Sequence, residues 1–341
     1  MNPAEHRSTS TVVKTKRDPP WVVRSLLLLG FSLLSLGLYE LSRPEKPPRL
    51  LALMLESSLE EPTNEGAYPI IQRTRYRLTD GRLTQLTLDL VDYHDSEDRL
   101  GHALLFPKLP TDGEDHGEGL RQHLWQDMNR SIRAHTGEDA LFLGWWTTAQ
   151  RVHFLTGRQA FPRQPVIRAL PSGPLRTLFE RTLSPGLQEP VTLTDLAKWL
   201  VMPGVAGLEA LRSHVPLNAS LYWVSSVDDL AHLEELEALT GVRLPIESQN
   251  FPPGTDPHEQ IKGVRQWASE GSDDSYLVQP LPGGGIRAYR FTSPMGRESL
   301  FARLLPFTHS LTDPLPDTRL VYQSTAGSAL LVIDLNAKEN P

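Results

Sequence analysis

The segment at residues 21–41, WVVRSLLLLGFSLLSLGLYEL, constrains the fold of this chain more than any other feature. Its central part, from Ser25 to Tyr39, carries no charged side chain and contains eight leucines. As a helix the whole segment would be about 31 Å long, which matches the roughly 30 Å hydrocarbon layer of a bilayer. Trp21 and Tyr39 stand near its two ends, where aromatic rings favour the membrane interface. We therefore expect one transmembrane anchor from Trp21 to Leu41.

The basic residues that flank this segment predict its orientation. Five of them precede the apolar run and three follow it closely, which favours a cytoplasmic N-terminus and a main domain in the bacterial periplasm, behind a single pass through the inner membrane. A cleaved signal peptide is the alternative, because Ser35-Leu36-Gly37 offers the small residues that a signal peptidase requires. Either interpretation exports the bulk of the chain. A buried core helix is a third interpretation, which the lack of caps and of a polar side disfavours.

Composition excludes several classes of protein. A net charge of -7 argues against a nucleic-acid partner, because phosphate binding needs concentrated lysine and arginine. The absence of cysteine excludes disulfides, thiolate zinc sites, iron–sulfur clusters, cysteine nucleophiles and covalent c-type haem. We predict no resident cofactor, and we expect any redox role to work through a partner or through a cofactor that is bound without a covalent link.

Changes in composition along the chain predict its domain organisation. Three prolines in eight residues after the anchor are typical of a stiff, extended spacer. A second proline-rich stretch divides the remainder into two sub-domains. The predicted segments are a cytoplasmic tail at 1–20, the anchor at 21–41, a linker at 42–49, a first α/β sub-domain at 50–160, a proline-rich connection at 161–190 and a second α/β sub-domain at 191–341.

Hydrophobic periodicity predicts an α/β fold, mixed α+β in its details, with a mixed sheet and β-hairpins. The strongest signal is a hairpin with arms at 68–79 and 82–94, which meet at Asp80-Gly81. Apolar runs at 139–146 and 221–225 predict buried central strands. A helix at 228–240 follows the second run, which makes the βα unit of an α/β sheet. Further predicted elements are strands at 50–55 and 242–246, helices at 120–135 and 256–270, a hairpin at 276–281 and 286–292, and a pair of strands at 319–324 and 329–335.

The densest cluster of unusual residues lies at 139–158, DALFLGWWTTAQRVHFLTGR. Here a predicted buried strand ends in two tryptophans, and Thr147 or Thr148 could cap a short helix that Gly157 ends. Open α/β sheets bind ligands at this end of their strands, so the segment predicts a ligand or partner site. The alternative is that the tryptophans divide between core and surface and the polar residues form a solvated helix face. The candidate residues are Trp145, Trp146, Gln150, Arg151, His153 and Arg158.

A second candidate site is a group of histidines in an acidic region. Imidazole and carboxylate groups together can bind zinc, copper, nickel or iron. The spacings match no tight metal motif, so an acidic surface loop is the stronger interpretation. The candidate metal ligands are His94, His102, His116 and His123.

Several short motifs resemble one known family. They are Leu143-Gly144-Trp145-Trp146, Gln150-Arg151-Val152, Leu155-Thr156-Gly157-Arg158, the run AKWLVMP at 197–203, YLVQ at 276–279 and IRAYR at 286–290. The chain is similar at these places to HaoB, the membrane-anchored hydroxylamine oxidation protein encoded beside the multihaem hydroxylamine oxidoreductase of nitrifiers and methanotrophs. The resemblance spans roughly residues 20–335. It implies an accessory protein and supplies no catalytic residue to carry over.

The resemblance and the predicted anchor together give one leading function. We expect a membrane-anchored periplasmic accessory protein that helps to assemble, tether or exchange electrons with a multihaem hydroxylamine oxidoreductase. A membrane-tethered hydrolase or metal-dependent enzyme is the alternative, since either candidate site could serve one. A purely structural envelope domain is the third possibility. We therefore expect an accessory role rather than catalysis.

Overall fold

The computed structural model describes residues 52–59, 66–79, 84–105, 116–170, 176–177, 179–180, 189–215, 220–254, 256–270, 274–281, 284–324 and 330–336. The predicted tail, anchor and linker at 1–49 lie outside these ranges. Within the ranges, no helix is both long enough and apolar enough to span a bilayer.

The described residues form twelve strands and nine α-helices, together with two short 3-10 helices. The strands are β1 Ala52–Leu59, β2 Ile70–Thr79, β3 Thr84–His94, β4 Leu100–Leu105, β5 Leu141–Leu143, β6 Gln159–Phe161, β7 Leu221–Ser226, β8 Ile246–Phe251, β9 Leu277–Pro280, β10 Ile286–Phe291, β11 Arg319–Gln323 and β12 Leu330–Asp334. The helices are α1 His116–His135, α2 Trp146–Thr156, α3 Leu193–Leu200, α4 Gly204–Ser213, α5 Leu233–Thr240, α6 Pro257–Ser269, α7 Pro294–Glu298, α8 Leu300–Arg303 and α9 Thr308–Thr312, with 3-10 turns at Ile167–Ala169 and Val227–His232.

The first sheet is a four-stranded antiparallel meander in the order β1-β2-β3-β4. Strands β2 and β3 confirm the predicted hairpin, whose turn at 80–83 lies outside the described residues. Their register shifts between Leu78, which faces Leu86, and Thr79, which faces Thr84. Strand β4 was not predicted from the sequence.

The second sheet is mixed, in the order β11-β12-β7-β5-β6, which confirms the predicted mixed sheet and the strand pair near the C-terminus. Strands β5, β6 and β7 run parallel, whereas β12 is antiparallel to both β7 and β11. Strand β5 comes from the predicted first sub-domain and strands β7, β11 and β12 come from the second, so the two segments share one sheet. The position of the sub-domain boundary stays a prediction.

Helices cover both faces of this sheet. Phe142 and Val224 face one side, where they pack with Val152 of α2. Leu143 alternates to the other side, where it packs with Leu236 of α5. Because successive side chains of a strand point to opposite faces, β5 and β7 are buried on both sides, as their apolar sequences predict.

Two predicted strands need correction. The strand predicted at 139–146 covers only Leu141–Leu143, because Trp145 occupies the N-cap of α2 in an extended conformation and Trp146 already begins the helix. The strand predicted at 242–246 is wrong, since the chain leaves α5 through the left-handed Gly241 and enters β8 only at Ile246. Strand β8 is largely exposed and polar, so no apolar pattern marked it.

The third sheet contains this strand, in the order β8-β10-β9. The pairing of β9 with β10 confirms the predicted hairpin at 276–292. Helix α6 confirms the predicted helix at 256–270, with the side chain of Asp256 accepting from the backbone N–H of His258 as an N-cap.

Candidate functional site

The candidate site lies where β5 and β7 end. The chain leaves β5 into α2 on one face of the sheet, and it leaves β7 through the 3-10 turn into α5 on the other face. Two neighbouring parallel strands whose connections depart in opposite directions define a topological switch point, the usual ligand crevice of an open α/β sheet. The two tryptophans follow β5 directly, so they occupy this position as the sequence predicted.

Trp145 and Trp146 are both buried and both bind one carboxylate. The indole N–H of Trp145 donates to Oε2 of Glu235 at 3.0 Å, and that of Trp146 donates to the same oxygen at 3.1 Å. Nδ1 of His232 lies 3.2 Å from that oxygen as well. The other oxygen of Glu235, Oε1, is buried and has no hydrogen-bond partner among the described residues. One carboxylate oxygen therefore joins the two elements that leave the sheet.

His232 is the part of this cluster that approaches the surface. Its ring stacks on Trp145, with centroids 5.4 Å apart, and its side chain retains 20% of its exposure. Nε2 of His232 lies 3.2 Å from the hydroxyl of Thr147. The ring therefore lies between Thr147 and Glu235, and it is more exposed than Glu235 and the two indoles.

Asp229 makes a second link between the two connections. Its Oδ1 accepts from the hydroxyl of Thr148 at 3.1 Å, and its Oδ2 accepts from the backbone N–H of Ser226 at 2.9 Å. Complete burial raises the pKa of Asp229 from 3.8 to about 6, against the lowering effect of these hydrogen bonds and of His232. The prediction that Thr147 or Thr148 caps α2 is therefore wrong, because their hydroxyls bind the connection after β7 instead of the helix.

Gln150 and Arg151 also point into the protein. The side-chain amide of Gln150 donates to the carbonyl of Arg163 at 2.6 Å, while its Oε1 is buried without a partner among the described residues. Nε of Arg151 donates to the carbonyl of Leu104, and its guanidinium lies 4.4 Å from the ring centroid of Trp125. These two side chains fasten α2 to the chain after β6 and to β4.

His153 and Arg158 lie at the far end of the same helix. Nδ1 of His153 donates to the carbonyl of Arg158 at 2.8 Å, and one guanidinium nitrogen of Arg158 donates to the carbonyl of Thr136. Burial lowers the pKa of His153 from 6.5 to about 4, with help from the charge of Arg163. The ring is neutral at physiological pH, and its buried Nε2 has no partner among the residues described.

The six candidate residues consequently divide into two groups. Trp145 and Trp146 belong to the cluster with Glu235 at the switch point, whereas Gln150, Arg151, His153 and Arg158 fasten α2 to its neighbours. Their role in ligand or partner binding stays a prediction.

The candidate metal ligands do not converge. His94 at the end of β3 pairs with Asp98 of the following turn at 2.8 Å, and His123 pairs with Asp127 one turn further along α1 at 2.9 Å. His102 pairs with Asp92 of the neighbouring strand at 2.6 Å. The side chain of His116 is outside the described part. Where side chains are described, no three histidine or carboxylate groups come together to hold a metal ion.

Sequence reasoning missed the three titratable residues that complete the switch-point cluster. Asp229, His232 and Glu235 are three residues apart, so they share one face of a helix. The leucines on the neighbouring face are the stronger signal for the buried side, and the prediction followed them. The available signal was the serine and aspartate at 226 and 229, which form a capping box. Chemically, the cluster holds one carboxylate that accepts hydrogen bonds from nitrogen donors and a second that titrates near pH 6.

Comparison with known proteins identifies one family by sequence. The sequence model of the family described as "HaoA-associated protein HaoB" matches residues 19–332. No curated protein matches the chain.

Proposed function

The chain belongs to the family of HaoA-associated HaoB proteins, and from that membership we propose that it is a membrane-anchored periplasmic accessory protein that tethers HaoA, a hydroxylamine oxidoreductase, to the membrane. The family assignment confirms the resemblance seen in the sequence. Assembly of the oxidoreductase and electron exchange with it are further forms that the accessory role could take.

The observation that carries the proposal is the extent of the family match. It begins at residue 19 and ends at residue 332, so it includes the predicted anchor at 21–41 as well as the folded body. A body on a proline-rich spacer beside the membrane raises the local concentration of any partner it binds there. Tethering therefore needs no catalytic group from the chain itself.

The candidate site supports this interpretation through its internal bonding. Trp145, Trp146 and Glu235 are almost fully buried and hydrogen-bonded to one another. Such a cluster stabilises the connection between α2 and α5 and gives a partner a rigid body to bind. Exposed residues elsewhere on the same rigid body are then available to form a partner surface.

The test is the distribution of HaoA between membrane and soluble fractions of the native host. We expect HaoA to sediment with membranes that carry the full chain, and to become soluble when residues 1–41 are replaced by a cleavable signal peptide. An unrelated single-span anchor in place of 21–41 is the matched control and should restore sedimentation. Equal HaoA in the membrane fraction with and without any anchor would contradict tethering.

Location is tested separately with a reporter at the C-terminus. Alkaline phosphatase is active only after export, so the fusion should be active if the body is periplasmic. A cytosolic fluorescent reporter at the same position should stay dark for the same reason. Activity of the cytosolic reporter alone would rule out the proposed orientation.

A further inference from the structure

Helix α9 separates two grooves on one side of the protein, and we call this surface the α9 ridge. Ser310 and Leu311 line the groove on one side of the helix, and Thr308, His309 and Thr312 line the groove on the other. The first groove is lined mainly by apolar side chains, with Arg303 and Arg319 beside them, whereas the second has a larger polar share and is lined by Lys262 and Arg265.

The apolar groove has a volume of about 260 Å³. Leu311 of α9 and Leu320 of β11 border it, and these side chains retain 40% and 41% of their exposure. Leu331 and Ile333 of β12 also line it. Strand β11 is the outer strand of its sheet, so one row of its backbone groups faces away from β12. Exposed leucines beside an open groove are typical of the apolar centre of a protein interface.

The basic groove has a volume of about 700 Å³ and lies between α6 and α9. Lys262 and Arg265 of α6 line it together with His309, against one carboxylate, that of Asp274. Nε of Arg265 donates to the neutral hydroxyl of Tyr276 at 3.5 Å, so this contact leaves the charge of the guanidinium uncompensated. The groove is cationic on a chain whose net charge is -7.

The ridge is held firmly in place. The backbone N–H of Thr308 donates to the carbonyl of Tyr276 at 2.9 Å, and that of Tyr276 donates to the hydroxyl of Thr308 at 3.1 Å. The hydroxyl of Ser310 donates to the carbonyl of Ala302 at 3.1 Å, and Arg303 lies 2.6 Å from Nε2 of His309. A surface fixed in this way loses little conformational entropy when a partner binds.

We propose that the α9 ridge is the surface on which HaoA docks, through an acidic segment that places an apolar side chain between Leu311 and Leu320. Charge complementarity decides the occupant, because Lys262 and Arg265 attract carboxylates and disfavour a basic segment. The apolar groove accepts one side chain of that segment, which supplies the buried centre of the contact. This inference rests on the proposed function, since it names the surface through which the tethering would occur.

The experiment measures binding of purified HaoA to the full chain reconstituted in nanodiscs. Leu311→Asp and Leu320→Asp each introduce a charge into the apolar groove. Each should raise the dissociation constant for HaoA by about tenfold or more. Lys262→Glu with Arg265→Glu should weaken binding most at low salt, because charge attraction between exposed groups is screened by salt.

Two matched variants control for the nature of the changes. Leu100 retains 49% of its exposure on β4, so Leu100→Asp places a similar charge away from the ridge. Arg130 on α1 is 79% exposed, so Arg130→Glu reverses an unrelated surface charge. Both should bind HaoA as the unaltered chain does. Thermal melting of every variant establishes that it is folded.

The outcomes separate this inference from the proposed function. If the unaltered chain does not bind HaoA at all, the tethering proposal fails. If the unaltered chain binds and folded ridge variants bind equally well, the assignment of the surface is overturned while tethering stands. If the unaltered chain is a dimer by analytical ultracentrifugation and Leu320→Asp makes it a monomer, the ridge is a contact between copies and the assignment to HaoA is overturned.

Discussion

The indole nitrogen of Trp145 lies 3.0 Å from Oε2 of Glu235, a residue ninety positions further along the chain. The contact joins the first residue before α2 to the first turn of α5, and these helices lie on opposite faces of the mixed sheet. Trp146 donates to the same oxygen at 3.1 Å. A single carboxylate therefore fixes both connections that leave the switch point.

Removal of this carboxylate should be strongly destabilising. Glu235→Leu leaves two buried indole N–H groups without their acceptor. Each unpaired buried donor costs roughly 1–3 kcal/mol, so the free energy of unfolding should fall by about 2 kcal/mol or more. Urea denaturation followed by tryptophan fluorescence measures the change.

Two variants make this prediction specific. Glu235→Gln keeps one carbonyl oxygen as an acceptor and should cost less than the leucine variant. Glu234 is the exposed neighbour, and Glu234→Leu should change stability by no more than about 0.5 kcal/mol. Equal stability of Glu235→Leu and Glu234→Leu would show that the cluster contributes nothing to folding.

Asp229 should give the protein a distinctive pH dependence. Its pKa is about 6 in the folded chain because the carboxyl is buried, against an ordinary 3.8. The folded state therefore holds a proton between about pH 4 and pH 6 that the unfolded state has released, so this residue's contribution to stability is largest near pH 4 and is lost as pH rises to 6. Relative to Asp229→Asn, the unaltered chain should lose stability as pH rises over that range. A constant difference would contradict the raised pKa.

The elements that the sequence predicted well are those with local signals. The hairpin of β2 with β3 and the capped helix after Asp256 each depend on residues a few positions apart, and both are present. Strand β8 was missed because four of its six residues, at 247–250, are exposed and polar, and its pairing with β10 depends on a strand 35 or more residues away. The local sequence of β8 contains no information about a partner strand so far along the chain.

The candidate site was also predicted only where its signals are local in the sequence. The two tryptophans after β5 were recognised because an apolar strand that ends in aromatics is visible in the sequence. Their acceptor, Glu235, was not recognised, because a glutamate on an amphipathic helix ordinarily faces solvent. Glu235 is buried because α5 packs against the start of α2. That contact depends on the arrangement of the whole sheet, which a local sequence pattern does not contain.

His153 should give a pH dependence of the opposite sign. Burial lowers its pKa from 6.5 to about 4, so the unfolded chain binds a proton between those values that the folded chain does not. This residue's contribution to stability is present above about pH 6.5 and is lost as pH falls towards 4. His153→Asn keeps a side-chain N–H for the carbonyl of Arg158 and removes the titration. Relative to this variant, the unaltered chain should lose stability on acidification.

A control for His153 is available in His123, whose side chain is 68% exposed on α1. At pH 7, His123→Asn should change the free energy of unfolding by no more than about 0.5 kcal/mol, because the side chain is exposed. If both histidine variants change stability to the same extent at that pH, the burial of His153 contributes nothing to folding.

Alanine substitutions at two helix-ending glycines should distinguish the cost of backbone strain from the cost of a close packing contact. Gly157 ends α2 at φ 74° and Gly241 ends α5 at φ 71°, so alanine at either position must adopt the left-handed region and costs about 1 kcal/mol. A Cβ at Gly241 meets nothing within 4 Å, whereas one at Gly157 would lie 3.2 Å from Cβ of Ala67. Gly157→Ala should therefore destabilise the protein more than Gly241→Ala in urea denaturation. Equal destabilisation by the two substitutions would mean that the segment at Ala67 moves aside and that the close contact costs no stability. A larger loss in Gly241→Ala would contradict the prediction.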